Sequence, residues 1–80
     1  MSERLENIGY RESLRQQRRR LAAEASSLRE SVRAALPVVA DPEQIDGDYV
    51  LDLALRLREV LAELEGLDRK IGILNRELDG

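Results

Sequence analysis

The 80-residue sequence contains no histidine, cysteine, tryptophan or phenylalanine, and only 2% of its residues are aromatic. Without histidine or cysteine, the chain cannot build a Ser-His-Asp or Cys-His nucleophile, a disulfide or an ordinary zinc site. The chain is also too short for a Rossmann or barrel enzyme. We therefore expect a protein that is not an enzyme and that uses no metal or cofactor.

Long hydrophobic runs are absent too. The longest uncharged apolar stretch covers seven residues, 34–40, and contains Pro37, whereas a membrane-spanning helix needs about 20 apolar residues. No apolar segment follows the charged residues at the start of the sequence, so no signal peptide is predicted. We expect a cytoplasmic protein that does not enter a membrane.

Material for a hydrophobic core is limited, since 36% of the residues are charged and 42% are hydrophobic, with a net charge of −3. Chains of this size usually need a disulfide, a metal or oligomerisation to offset the loss of conformational entropy. With no cysteine and no cluster of metal ligands, oligomerisation is the remaining option. The composition thus favours one small domain, residues 1–80, that associates with another chain.

A heptad repeat predicts a helix over about residues 48–78, which Asp46 or Asp48 is expected to cap. Apolar residues alternate there with spacings of three and four, as in the a/d seam of a coiled coil. The members of this seam are Val50, Leu53, Leu57, Val60, Leu64, Leu67, Ile71, Leu74 and Leu78.

A weaker repeat, in which Leu14, Leu21, Leu28 and Ala35 recur every seven residues, predicts a first helix over about residues 3–35. The apolar pattern changes phase at Gly9, and glycine inside a helix costs about 1 kcal/mol relative to alanine. We therefore expect a kink or break at Gly9.

Proline residues mark the connection, residues 36–47. Pro37 ends the first helix because the residue before a proline avoids the helical conformation. The segment Asp41-Pro42-Glu43-Gln44 predicts one short helical turn, with Asp41 as its N-cap. Two long helices joined in this way predict an all-α fold, an antiparallel, coiled-coil-like helical hairpin in which Leu21 lies near Leu64.

The second helix carries more apolar residues than the first can cover, so we expect two hairpins to form a homodimer with a four-helix bundle. A monomer whose open apolar face docks on another protein is the alternative. The expected oligomer or partner interface consists of Val38, Val39, Tyr49, Val50, Leu51, Leu53, Leu55, Leu57, Leu61 and Leu64.

Basic residues cluster in the first helix, where Arg11, Arg15, Arg18 and Arg19 share one broad face of the Arg11–Arg20 stripe. Such a stripe can contact phosphates, as in a nucleic-acid-binding regulator. The antiparallel pairing also brings Arg18–Arg20 near Glu63, Glu65 and Asp68, which favours ion pairs between the helices instead. Since the chain is acidic overall and nearly free of aromatic residues, we expect nucleic acid binding to be the weaker interpretation.

These features predict a non-enzymatic protein–protein interaction module. Small helical hairpins without catalytic residues are typical of adaptors, chaperones, and inhibitors or regulators, phage-encoded ones among them. This comparison is an analogy at the level of the fold, which does not determine function.

Overall fold

The computed structural model describes residues 2–79, and it gives side-chain surroundings for residues 3–79. Two long helices, α1 (Ser2–Ala35) and α2 (Gly47–Asp79), are joined by a connection that contains a short 3₁₀ helix, Pro42–Gln44. The helices lie antiparallel, since Arg4 at the start of α1 contacts Leu78 at the end of α2. The all-helical hairpin predicted from the heptad repeats is therefore confirmed. It is elongated, with dimensions of 63 × 17 × 14 Å.

The expected break at Gly9 is wrong, because α1 continues through this residue without interruption. Gly9 has no positive φ and is exposed, so it adopts ordinary helical geometry. Contacts on both sides fix the helix: Arg4 donates to the carbonyl of Leu78 at 3.1 Å, and Arg11 donates to Asn75 at 3.0 Å. These interhelical contacts outweigh a propensity cost of about 1 kcal/mol.

The connection follows the predicted turn chemistry in part. Asp41 precedes the 3₁₀ helix as expected, but its side chain makes no capping hydrogen bond. The backbone instead closes the turn, through bonds from Gln44 N to Asp41 O at 2.9 Å and from Ile45 N to Pro42 O at 3.2 Å. Asp46 caps α2, since its Oδ1 accepts a hydrogen bond from the backbone N–H of Tyr49 at 3.1 Å.

The buried core lies in the half of the hairpin that is distant from the turn. Leu14, only 3% exposed, packs there with Leu67, Ile71 and Leu74, and Leu21 packs against this cluster. Closer to the turn, Val60 is fully buried, but the other four seam residues of α2 are only half-buried, namely Val50, Leu53, Leu57 and Leu64. The hairpin therefore closes firmly at the ends of the chain and loosely near the turn.

Candidate interaction surface

The heptad repeat gives the hairpin two distinct edges. On one edge Arg18 of α1 pairs with Asp68 of α2, and the positions one heptad closer to the turn are Ala25 and Leu61. We call this the arginine–leucine edge. On the other edge, Glu24 accepts hydrogen bonds from Arg56, and Glu63 lies one heptad beyond Arg56. We call this the glutamate edge.

Polar contacts close the arginine–leucine edge near the ends of the chain. The side chains of Arg11 and Arg15 both donate to Oδ1 of Asn75, at 3.0 and 3.2 Å. Arg11 also lies 3.8 Å from a carboxylate oxygen of Asp79, and its side chain is only 17% exposed. Two guanidinium groups thus converge on one neutral amide oxygen.

Ion pairs between the helices perturb two further arginines. A hydrogen bond from Arg18 to Asp68, and then the negative charge of Asp68, raise the pKa of Arg18 above its usual value. The hydrogen bonds of Arg56 to Glu24 and then to Glu59 raise the pKa of Arg56 in the same way. Both guanidinium groups are exposed to solvent, so they contribute little stability individually. They link α1 to α2 on both edges of the hairpin.

These contacts engage most of the arginine stripe predicted from the sequence. Arg11, Arg15 and Arg18 all bind α2 side chains. Within residues 2–79, Arg19 forms no ion pair and is exposed. The interhelical ion pairing considered for this stripe is therefore present at Arg18.

Toward the turn, the arginine–leucine edge changes from polar to apolar. A shallow groove opens there between the helices, lined by Ala25, Ser26, Arg29, Leu57 and Leu61. Alanine and serine side chains are too short to fill the seam beside two leucines. Leu61 remains 51% exposed as a result. This groove was not predicted from the sequence, although the small residues at 25 and 26 are the signal that could have indicated it.

The outer side of α2 continues the apolar surface. Leu51 and Leu55 lie one turn apart, and both are about half exposed. Ala54 and Ala62 are exposed on the same side of the helix. We refer to Leu51, Leu55 and Leu61 as the outer leucines.

The turn end of the hairpin carries three further exposed apolar residues, Val38 and Val39 of the connection and Tyr49 of α2, which we call the turn patch. Val38 and Val39 are 99% and 96% exposed, and Tyr49 is about half exposed. Val38 also borders a shallow depression at the end of α1, together with Val32 and Leu36. Fully exposed valines at the tip of a hairpin make no contribution to folding of the single chain.

The ten apolar residues predicted as an interface therefore separate into two groups. Val50, Leu53, Leu57 and Leu64 are half-buried in the seam between α1 and α2. The outer leucines and the turn patch are exposed. The exposed Ile73 and the polar contact at Asn75 were absent from the predicted set. The positions of Asn75 and Asp68, one heptad apart on α2, are the signal that could have identified Asn75.

Comparison of the chain with protein-family models, with curated proteins and with solved structures gives no match. Over the described part of the chain, no group of three or more acidic residues is placed to hold a metal ion. No helix within residues 2–79 has both the length and the apolar character required to cross a membrane.

Proposed function

We propose that this chain is a non-enzymatic protein–protein interaction module that self-associates through α2 into a two-fold dimer with a four-helix bundle. The observation that carries the proposal is the exposure of the outer leucines on a helix whose seam already faces α1. The turn patch remains accessible at the tip of such a dimer. We infer that this patch contacts the target protein.

The exposed area of the chain supports association. Its accessible surface is 6106 Å², whereas a compact monomer of 9.1 kDa exposes about 4,900 Å². The excess, about 1,200 Å², is larger than the roughly 800 Å² that each partner contributes to an interface of standard size. If the hairpin buried one interface of standard size, it would still expose at least as much surface as a compact protein of the same mass.

The free energy that the outer leucines can contribute to association is moderate. Burying a leucine completely contributes about 1.5–3 kcal/mol, so a half-exposed leucine retains about 1 kcal/mol. The three outer leucines of both copies together offer about 6 kcal/mol, which offsets only the lower part of the estimated cost of association, about 4–15 kcal/mol, so other interface contacts must supply the rest. We therefore expect a dimer that dissociates on dilution.

Light scattering coupled to size-exclusion chromatography tests this proposal across a series of concentrations. We expect a mass near twice 9.1 kDa at high concentration. The double variant Leu51→Asp/Leu55→Asp should remain helical by circular dichroism and elute as a monomer. Leu5→Asp is the matched control, because Leu5 is 66% exposed on α1, and this variant should keep the mass of the parent protein. An unchanged mass for the double variant would exclude the outer leucines as the interface.

One observation favours the alternative, a nucleic-acid-binding regulator. Arg19 and Arg20 are exposed, and neither forms an ion pair within the described residues. An electrophoretic mobility shift with duplex DNA and with RNA tests this function. Binding at about 50 mM salt that falls steeply at about 200 mM would support it, since phosphate contacts release counterions. We expect no shift at either concentration.

A further inference from the structure

The outer face of α2 carries side chains that are arranged symmetrically about Ala62. Leu51 and Ile73 lie at equal distances in sequence on either side of Ala62, and both are about half exposed. Asp48 and Arg76 are also equally distant from Ala62, and their charges are opposite. An antiparallel copy of α2 centred on the same residue would therefore bring each of these residues beside its complement.

Two charged residues that lie closer to Ala62 show the same symmetric arrangement. Arg58 and Glu65 lie one heptad apart, almost equally far from Ala62, and they have opposite signs. In an antiparallel pair of α2 helices, Arg58 of each copy lies beside Glu65 of the other. Leu61 lies next to the axis, and Leu55 lies beside the aliphatic part of Arg69.

These charges are available for contacts outside the chain. Within residues 2–79, no ion pair involves Asp48, Arg58 or Arg76. Glu65 has only a long contact of 3.7 Å with Arg69, and both side chains are more than 70% exposed. By contrast, Arg56 and Asp68 on the two edges of the hairpin already pair with α1.

We propose that the occupant of this face is a second copy of the chain, bound with its α2 antiparallel to the first α2 and with the two-fold axis at Ala62. This inference rests on the proposed function, that the chain self-associates through α2, and it specifies the orientation and register. The two α2 helices form the centre of the assembly, with one α1 on each outer side.

The distribution of charge along the hairpin favours the antiparallel orientation. Residues 34–55, around the turn, contain five acidic residues and no basic residue. An antiparallel dimer places this segment beside residues 69–79 of the partner, which carry three basic and two acidic side chains, namely Arg69, Lys70, Arg76, Glu77 and Asp79. A parallel dimer would bring the two acidic segments together, at a cost in repulsion.

Cysteine cross-linking tests the axis directly, because the native chain has no cysteine. Only residues near a two-fold axis meet their own counterpart, and a disulfide requires Cα atoms within about 7 Å. Ala62→Cys should therefore form a covalent dimer under mild oxidation. Leu51→Cys alone and Ile73→Cys alone should remain uncross-linked, whereas an equimolar mixture of these two variants should form a mixed covalent dimer.

Charge exchange tests the register independently, by sedimentation equilibrium at low salt. Arg58→Glu and Glu65→Arg should each raise the dimer dissociation constant about tenfold, since each change creates two repulsive contacts per dimer. The double variant should return to within about threefold of the parent protein. Glu63→Lys and Lys70→Glu are matched controls: they are also one heptad apart on α2, but they lie on the glutamate edge, and each should leave the constant within about threefold.

The outcomes separate this inference from the proposed function. Self-cross-linking of Leu51→Cys as fast as that of Ala62→Cys would indicate a parallel dimer and overturn the inference. A stable dimer without cross-linking at residue 62, or without rescue in the exchanged variant, would overturn the register while leaving self-association intact. A mass of one chain at every concentration would overturn both this inference and the proposed dimer.

Discussion

Replacing Asn75 by aspartate is expected to stabilise the hairpin. In the native protein, the amide oxygen of Asn75 accepts hydrogen bonds from both Arg11 and Arg15, at 3.0 and 3.2 Å. The Nε of Arg11 is buried and has no hydrogen-bond partner. The nearest carboxylate contact of Arg11 is 3.8 Å away, at Asp79. Arg15 pairs with Glu12 of its own helix at 3.3 Å. A carboxylate at position 75 would therefore give Arg11 a close negative charge and add an interhelical ion pair to Arg15.

Three effects determine how much Asn75→Asp should change the free energy of unfolding. The native bonds already have an ionised donor, so the gain comes from the added attraction between opposite charges, about 0.2–1 kcal/mol for each partly exposed pair and about 1–1.5 kcal/mol for the two together. A negative charge near the C-terminal end of a helix opposes this gain by about 0.3 kcal/mol, the lower limit for a residue before the last turn. Asparagine and aspartate have similar helix propensities. The first effect dominates, and Asn75→Asp should gain about 1 kcal/mol, or about 4–8 °C in Tm for a domain of this size.

Urea denaturation followed by circular dichroism measures this change, and Asn75→Ala provides the control. Alanine removes the one oxygen that accepts both hydrogen bonds, so Asn75→Ala should lose about 1 kcal/mol in spite of its better helix propensity. The gain of Asn75→Asp should decrease at about 1 M NaCl, where the Debye length falls to about 3 Å. Each comparison is made at two protein concentrations, to separate folding from association. An aspartate variant no more stable than the parent, or a gain insensitive to salt, would refute this account of the polar contacts.

Three other substitutions test the fold in the same urea assay. Leu14→Ala should cost about 2–4 kcal/mol because Leu14 is 3% exposed within the core, whereas Leu5→Ala at an exposed position should cost less than about 0.5 kcal/mol. Gly9→Ala should gain about 0.5–1 kcal/mol, because an added Cβ meets no atom within 4 Å and the backbone is already helical; a loss would indicate an unseen contact. Asp46→Ala should cost about 1 kcal/mol as the loss of a helix cap, and Asp41→Ala should change stability by less than about 0.5 kcal/mol since its side chain caps nothing. Equal effects of the two aspartate variants would contradict the assignment of the cap.

The elements of this fold could be predicted because their signals are periodic. The nine seam positions of α2 repeat without a miss from Val50 to Leu78, and the structure has α2 at Gly47–Asp79, close to the predicted 48–78. Pro37 ends α1 two residues earlier, at Ala35. Such signals are local, since they depend on residues three, four and seven positions apart on one helix.

The depth of burial along the seam could not be predicted from this periodicity. Leu57 and Ile71 occupy the same heptad position, two heptads apart, but Leu57 is half-buried and Ile71 is buried. The difference comes from the opposite helix, where the groove beside Leu57 is lined by Ala25 and Ser26. A heptad pattern on one helix contains no information about the size of the side chains that face it.

The polar contacts at the ends of the chain were missed for a related reason. The contacts of Asn75 could not be predicted from the sequence, because a neutral amide adds nothing to the pattern of charges. Its role depends on two arginines that lie more than fifty residues away in sequence. The unbroken course of α1 through Gly9 depends on the same long-range contacts. Local propensity predicted a break there, and tertiary packing overrode it.

Chain entropy does not explain why the core lies far from the turn. Contacts such as Leu14 with Ile71 close a loop about twice as long as contacts between Ala25 and Leu57, and each doubling of loop length costs only about 0.6 kcal/mol. A single buried leucine contributes about 1.5–3 kcal/mol. This gain exceeds the difference in loop entropy, so a core could form at either end of the hairpin. The open seam near the turn therefore follows from the small residues that α1 presents there, Ala25 and Ser26. Larger side chains at these positions would let α1 cover Leu57 and Leu61 within one chain. Their absence leaves Leu61 about half exposed on the turn-side half of α2, and this is part of the surface that the proposed dimer would bury.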